Sequence, residues 1–112
     1  MKEVFPAIIT SLPMARIPFE GIRGWISQSD DHQVVFMEIE PIGAVAPHSH
    51  GAQWGIVIEG EMILTIGGVS KAYRKGDHYF IPEDVVHSAT FNEKTWVMDF
   101  FNEPRRYRKI DE

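Results

Sequence analysis

Glycines and prolines divide this chain into short apolar runs, and this division constrains the fold more than any other feature. The 112 residues include nine glycines and seven prolines, which would interrupt most helices of ordinary length. The runs recur at a spacing of roughly 8–12 residues, which is typical of sandwiches and closed barrels. We therefore predict one all-β domain over residues 1–112, with hairpins at Glu59-Gly60 and Gly67-Gly68.

Seven of these runs have the length and composition of β-strands. They are rich in β-branched and aromatic residues and end at turn residues. They cover residues 33–40, 54–58, 61–66, 69–74, 78–81, 86–91 and 95–101. The apolar stretch from Phe5 to Leu12 fits either a short N-terminal turn or an edge strand. The sequence alone does not assign a role to residues 1–20.

Charge and composition exclude several classes of protein. The formal net charge is −5, and acidic and basic residues are spread through most of the sequence. This distribution argues against a nucleic-acid surface, which needs a clustered basic face. The chain has no cysteine, so disulfides and thiolate metal sites are excluded. No segment approaches the ~20 apolar residues of a membrane helix, and the N-terminus does not resemble a signal peptide. We expect a cytoplasmic protein with no nucleic-acid or membrane partner.

Two histidines stand two positions apart, at His48 and His50. In an extended segment such side chains point to the same face, roughly 6–7 Å apart. Two imidazoles at that separation can converge on one metal ion. The spacing by itself equally fits two polar residues on an exposed strand, so the surroundings of the pair decide its interpretation.

The surroundings resemble the two sequence motifs of the cupin family over about residues 33–101. The first motif is matched by Gly43, His48, His50, Gln53 and Gly60, and the second by Gly76, Pro82, Asp84, His87 and Asn92. The resemblance implies a single cupin barrel, that is, a double-stranded β-helix or jelly roll. It also implies one divalent metal ion inside the barrel, with His48, His50 and His87 as ligands.

Two positions depart from the family pattern. Gln53 stands where a glutamate ligand is expected. Its neutral oxygen can still coordinate and would leave the ion a stronger Lewis acid; the alternative is a polar residue at the rim of a three-histidine site. Asp84 replaces a glycine, and aspartate tolerates the left-handed conformation better than most residues. Such ligands suit Zn, Fe, Ni, Cu, Co or Mn, and the sequence does not select among them.

A second group of residues lies near the C-terminal end, at Asp99, Phe101 and Arg105. Their Asp-x-Phe-x-x-x-Arg pattern resembles the small cupins related to the pectin-degradation enzyme KdgF, which convert unsaturated uronates into linear keto sugars. By this resemblance Asp99 is an acid/base, Phe101 a stacking wall and Arg105 a clamp for a substrate carboxylate. The alternative is a surface aspartate, a core phenylalanine and a solvated arginine. Further aromatic candidates for walls of a sugar site are Trp25, Trp54 and Tyr79.

The resemblance leaves the function open among three hypotheses. The first is an isomerase or tautomerase of a carboxylated sugar. The second is an iron-dependent dioxygenase, because three histidines leave positions free for oxygen and substrate. The third is a non-catalytic module that binds a small molecule, so the sequence does not decide whether the protein is an enzyme. The resemblance also implies a homodimer in which the N-terminal segment completes a sheet of the partner.

Overall fold

The computed structural model describes residues 3–112, which form nine strands and one short helix in two antiparallel sheets. The helix α1 spans Ala7–Thr10. The strands are β1 (Ile22–Gln28), β2 (Gln33–Ile39), β3 (Gly43–His48), β4 (Gln53–Glu59), β5 (Glu61–Ile66), β6 (Val69–Arg74), β7 (His78–Ile81), β8 (His87–Phe91) and β9 (Thr95–Phe101).

The order of the strands confirms the predicted jelly roll. A five-stranded sheet has the order β1-β2-β9-β4-β7, and a four-stranded sheet has the order β3-β8-β5-β6. The chain therefore changes sheets at most of its connections between β2 and β9. This crossing brings β4 between β7 and β9, strands that are distant in sequence.

The hydrophobic core lies between the two sheets, where alternate residues of each strand meet. In β9, Val97, Asp99 and Phe101 are buried on the inner face, while Met98 and Phe100 point outward. The inner apolar residues of both sheets form one continuous cluster. This cluster surrounds a cavity that also contains polar side chains.

The two predicted glycine hairpins have different outcomes. Gly67-Gly68 joins β5 and β6 in a two-residue hairpin, and both glycines have the positive φ angles, 55° and 86°, that such a turn requires. The hairpin predicted at Glu59-Gly60 is wrong, because β4 and β5 belong to different sheets. Gly60 instead has a φ of 95°, and a Cβ there would lie 2.6 Å from the backbone oxygen of Lys94. Only glycine fits this crossing between sheets.

Two strands were not predicted, and the stretch from Phe5 to Leu12 is a turn of helix and not an edge strand; residues 1–2 lie outside the described part of the chain. β1 and β3 lack a clear apolar alternation and are held as strands by β2 and β8. The stretch from Phe5 to Leu12 contains a short helix, and Phe5 packs with Trp25 and Trp96 on the outer face of the five-stranded sheet. Within residues 3–112 the structure contains no helix with the length and hydrophobicity needed to cross a membrane.

Candidate metal centre

The three predicted metal ligands come together at one end of the four-stranded sheet. His48 is the last residue of β3 and His87 is the first of β8, and the two are directly paired across the strands. His50 follows two residues beyond the end of β3. The register of β3 shifts between Val45 and His48, so the segment that carries His48 and His50 departs from a regular strand.

The imidazoles of His48, His50 and His87 form a group that can hold a metal ion. Their ring centroids lie 4.3 Å apart for His48 and His87, 4.8 Å for His50 and His87, and 5.4 Å for His48 and His50. One ring nitrogen from each residue lies within 4.8 Å of the others. Three imidazole nitrogens are a common protein ligand set for a divalent transition metal.

Hydrogen bonds to the backbone orient all three rings in the same way. Nδ1 of His48 lies 3.0 Å from the oxygen of Ala46, that of His50 lies 2.8 Å from the oxygen of Gly51, and that of His87 lies 3.0 Å from the oxygen of Val85. A carbonyl oxygen only accepts, so each Nδ1 carries the hydrogen. In the neutral form of each ring, Nε2 then keeps a free lone pair for a metal.

The protonation of the histidines also fits a metal site. Burial lowers the pKa of His50 from 6.5 to about 4, and the neighbouring charges of Arg106 and the other two histidines act in the same direction. Burial likewise lowers the pKa of His87. These two imidazoles are therefore neutral near neutral pH, which is the form that binds metal.

The turn around Asp84 supports this arrangement. Asp84 has a φ of 61°, which confirms that aspartate adopts the left-handed conformation at this position. Its backbone N–H donates to the oxygen of His50 over 2.8 Å. This hydrogen bond joins the loop that carries His50 to the turn that leads into His87.

The polar side chains of Gln53 and Asp99 line the cavity into which the histidines project. Asp99 is 4% exposed, and the hydroxyl of Tyr79 donates to its Oδ1 over 2.6 Å. Burial raises the pKa of Asp99 from 3.8 to about 6, while hydrogen bonds from Tyr79 and Gln53 and the charge of Arg106 oppose this increase. Its carboxyl group thus changes protonation near neutral pH.

The predicted arginine differs from the one that reaches the cavity. Arg105 is exposed, and its guanidinium donates to the adjacent oxygen of Pro104 over 3.3 Å. Arg106 lines the cavity instead, with its guanidinium 5.6 Å from the ring centre of Phe101 and 4.4 Å from that of Tyr107. Its Nε is buried and has no hydrogen-bond partner among residues 3–112. A buried N–H group without a partner is costly, so this group suits an anionic ligand.

The aromatic candidates separate into two groups. Phe101 and Tyr79 line the cavity, and the ring of Phe101 lies 5.6 Å from that of His50. Trp25 and Trp54 lie on the outer face of the five-stranded sheet, away from the cavity.

The sequence did not identify Arg106 or Tyr107 as residues of the cavity. Both follow the end of β9, where the alternation of a strand no longer indicates which way a side chain points.

The fold and the histidine site define a cupin. Residues 35–101 match the protein family described as "Cupin domain", and the chain belongs to this family. The structure of KdgF from Halomonas sp. is similar to it, with 25% identity, a TM-score of 0.72, and coverage of 82% of this chain and 86% of that one. An RmlC-like cupin from Shewanella frigidimarina has the same fold at 23% identity, with a TM-score of 0.76 and coverage of 86% and 88%.

One curated relative also shares sequence with this chain. The H2HPP isomerase of Bacillus subtilis is 32% identical over 71 residues, which are 62% of this chain. The chain spans only 30% of the length of that relative.

Proposed function

We propose that this cupin is a metal-dependent isomerase or tautomerase of a small carboxylated substrate, with unsaturated uronates as the first candidates. The observation that carries the proposal is the placement of Asp99 and Arg106 in the same cavity as the three histidines. An acid/base group and an anion-binding group then face one metal site. The likeness to KdgF supports the uronate, and the name of the Bacillus subtilis relative supports isomerisation.

In this proposal His48, His50 and His87 hold a divalent ion, joined by the side-chain oxygen of Gln53. The ion supplies Lewis acidity inside a largely apolar cavity. The neutral ligand set leaves its charge uncompensated, which suits an anionic substrate. The backbone hydrogen bonds at Nδ1 keep the three rings in position before any ligand enters.

The remaining residues bind the substrate and move a proton. Arg106 donates to the substrate carboxylate in a two-pronged arrangement, and the faces of Phe101 and Tyr107 hold its guanidinium in place. Phe101 forms a wall beside the substrate. Asp99 takes a proton from one substrate atom and returns it to another, and its pKa of about 6 suits both directions near neutral pH.

The proposal is tested by loading the metal-free protein separately with Ni²⁺, Zn²⁺, Mn²⁺, Co²⁺ and Fe²⁺ and assaying a panel of unsaturated uronates by NMR. Turnover that falls in Arg106→Gln and stays near wild type in Arg105→Gln supports it. If no metal-loaded form converts any uronate, the substrate assignment is wrong. Oxygen uptake by the Fe²⁺ form would instead favour the dioxygenase, and binding without turnover would favour a binding module.

We further propose that the protein forms a homodimer, through a different surface from the one the sequence suggested. The N-terminal segment packs against its own sheet, so it is not free to complete a partner's sheet in this conformation. Beyond it, Phe80, Trp54 and Phe100 form a row across three adjacent strands and are 58%, 37% and 37% exposed. This uncharged row continues the apolar outer face to the open edge at β7 and can match its own copy across a twofold axis.

The dimer is tested by size-exclusion chromatography with light scattering. Phe80→Lys should produce monomers, because it puts a charge on the most exposed residue of the row. Val69→Lys is the matched control, since Val69 is 71% exposed and lies in the hairpin of the other sheet. A wild-type protein that is monomeric at all concentrations tested would contradict the proposal.

A further inference from the structure

Three residues lie side by side on adjacent strands next to the cavity, and the middle one has no side chain. Asp99 on β9, Gly55 on β4 and Tyr79 on β7 are aligned in register on adjacent strands. Neighbouring strands are separated by about 4.8 Å. Residues on β9 and β7 are therefore normally kept apart by the side chain of the β4 residue between them. Here the hydroxyl of Tyr79 donates to Oδ1 of Asp99 over 2.6 Å, above Gly55.

Gly55 is required for this contact. A Cβ at position 55 would clash with Oδ1 of Asp99 and with the ring and hydroxyl of Tyr79. The φ angle of Gly55 is not among the positive ones, so its backbone conformation does not require glycine. The need for a glycine comes from the space that Tyr79 and Asp99 share.

Gln53 lies two residues before Gly55 on the same face of β4, diagonally across from Asp99 on β9, and its hydrogen bond lowers the pKa of this carboxyl group. A side-chain amide has one accepting oxygen and one donating NH₂ group, and a carboxylate only accepts. The NH₂ group of Gln53 must therefore face Asp99. Its oxygen, the end that can bind a metal, is left for the cavity that contains the three histidines.

Tyr79 is held in position from its other side as well. Its side chain is buried, and its ring stacks on that of Tyr73 with centroids 5.6 Å apart and an angle of 5°. The hydroxyl is thereby aimed at Asp99. We propose that Tyr79 is a positioning residue of the metal centre, which fixes Asp99 so that Asp99 presents the oxygen of Gln53 to the metal. This inference rests on the metal-binding part of the proposed function.

The test measures Co²⁺ binding to the purified, metal-free protein by its visible absorption spectrum, which reports the number and type of ligands. Tyr79→Phe should change the spectrum and weaken Co²⁺ affinity by roughly tenfold, the low end of the effect of residues that orient metal ligands. Tyr73→Phe is the matched control, because it removes a hydroxyl from the stacked ring. It should leave the spectrum and the affinity unchanged.

A second pair of variants separates positioning from general loosening of the barrel. If Tyr79 acts through Gln53, then Tyr79→Phe should have no further effect on the spectrum in a Gln53→Leu background. Equal effects in both backgrounds, or a wild-type spectrum in Tyr79→Phe, would overturn the inference. Failure of the metal centre itself would look different: wild type would bind no Co²⁺, or His87→Ala would bind it as well as wild type does.

Discussion

Asp99 provides a test of the site that needs neither metal nor substrate. Its carboxyl group is buried, and burial raises its pKa from 3.8 to about 6. Between these two pH values the folded protein holds a proton that the unfolded chain releases. The contribution of Asp99 to stability is thus full below pH 3.8 and is lost as the pH rises through about 6. At roughly 1.4 kcal/mol per pH unit, the loss amounts to about 3 kcal/mol.

Asp99→Asn removes this dependence while keeping the shape of the side chain. We expect the difference in unfolding free energy, variant minus wild type, to rise by roughly 2 kcal/mol between about pH 4.5 and about pH 7.5. His50 contributes in the opposite direction. Its pKa is lowered from 6.5 to about 4, so the folded state loses stability as the pH falls from 6.5 to about 4. That contribution is present in both proteins and cancels in the difference.

The measurement is urea-induced unfolding of both proteins at the two pH values, with a chelator present to keep the histidines free of metal. A constant offset between the proteins reflects the lost carboxylate hydrogen bonds and does not bear on the prediction. If the difference is the same at both pH values, the carboxyl group of Asp99 ionises in the folded protein as it does in the unfolded chain. Burial would then not raise the pKa of this carboxyl group.

The metal ligands, the arginine in the cavity and the glycine between the two sheets each allow a further test. His87→Ala removes one of three converging imidazoles, so metal content measured by elemental analysis should fall well below that of wild type; full occupancy would place the metal elsewhere. Arg106→Lys should raise KM for a carboxylated substrate roughly tenfold, because the charge stays but the forked hydrogen bonds are lost, and an equal effect of Arg105→Lys would contradict the assignment. Gly60→Ala should cost roughly 3 kcal/mol in urea unfolding, because its Cβ meets backbone 2.6 Å away. Gly68→Ala has a similar φ but open space and should cost about 1 kcal/mol; equal costs would show that the clash is unimportant.

Local sequence was sufficient for the features that depend on local interactions. The bounds of β5, β6, β7 and β9 were predicted correctly, because each is an apolar run that ends at a turn. The Gly67-Gly68 hairpin and the left-handed turn at Asp84 were also predicted, since the conformations of these residues limit the chain by themselves. The histidine pair and its surrounding motif identified the family and the candidate metal ligands in the same way.

The tertiary structure decided the features that depend on which strands pair. Glu59-Gly60 has the composition of a hairpin, but the partners of β4 and β5 make it a crossing between sheets. Arg105 and Arg106 are chemically identical neighbours, and only the fold of the segment after β9 brings Arg106 over Phe101. The contact between Tyr79 and Asp99 arises because β4 lies between their strands with a glycine at the crossing point. Residues 20 positions apart on separate strands meet only through this register, which local propensities do not encode.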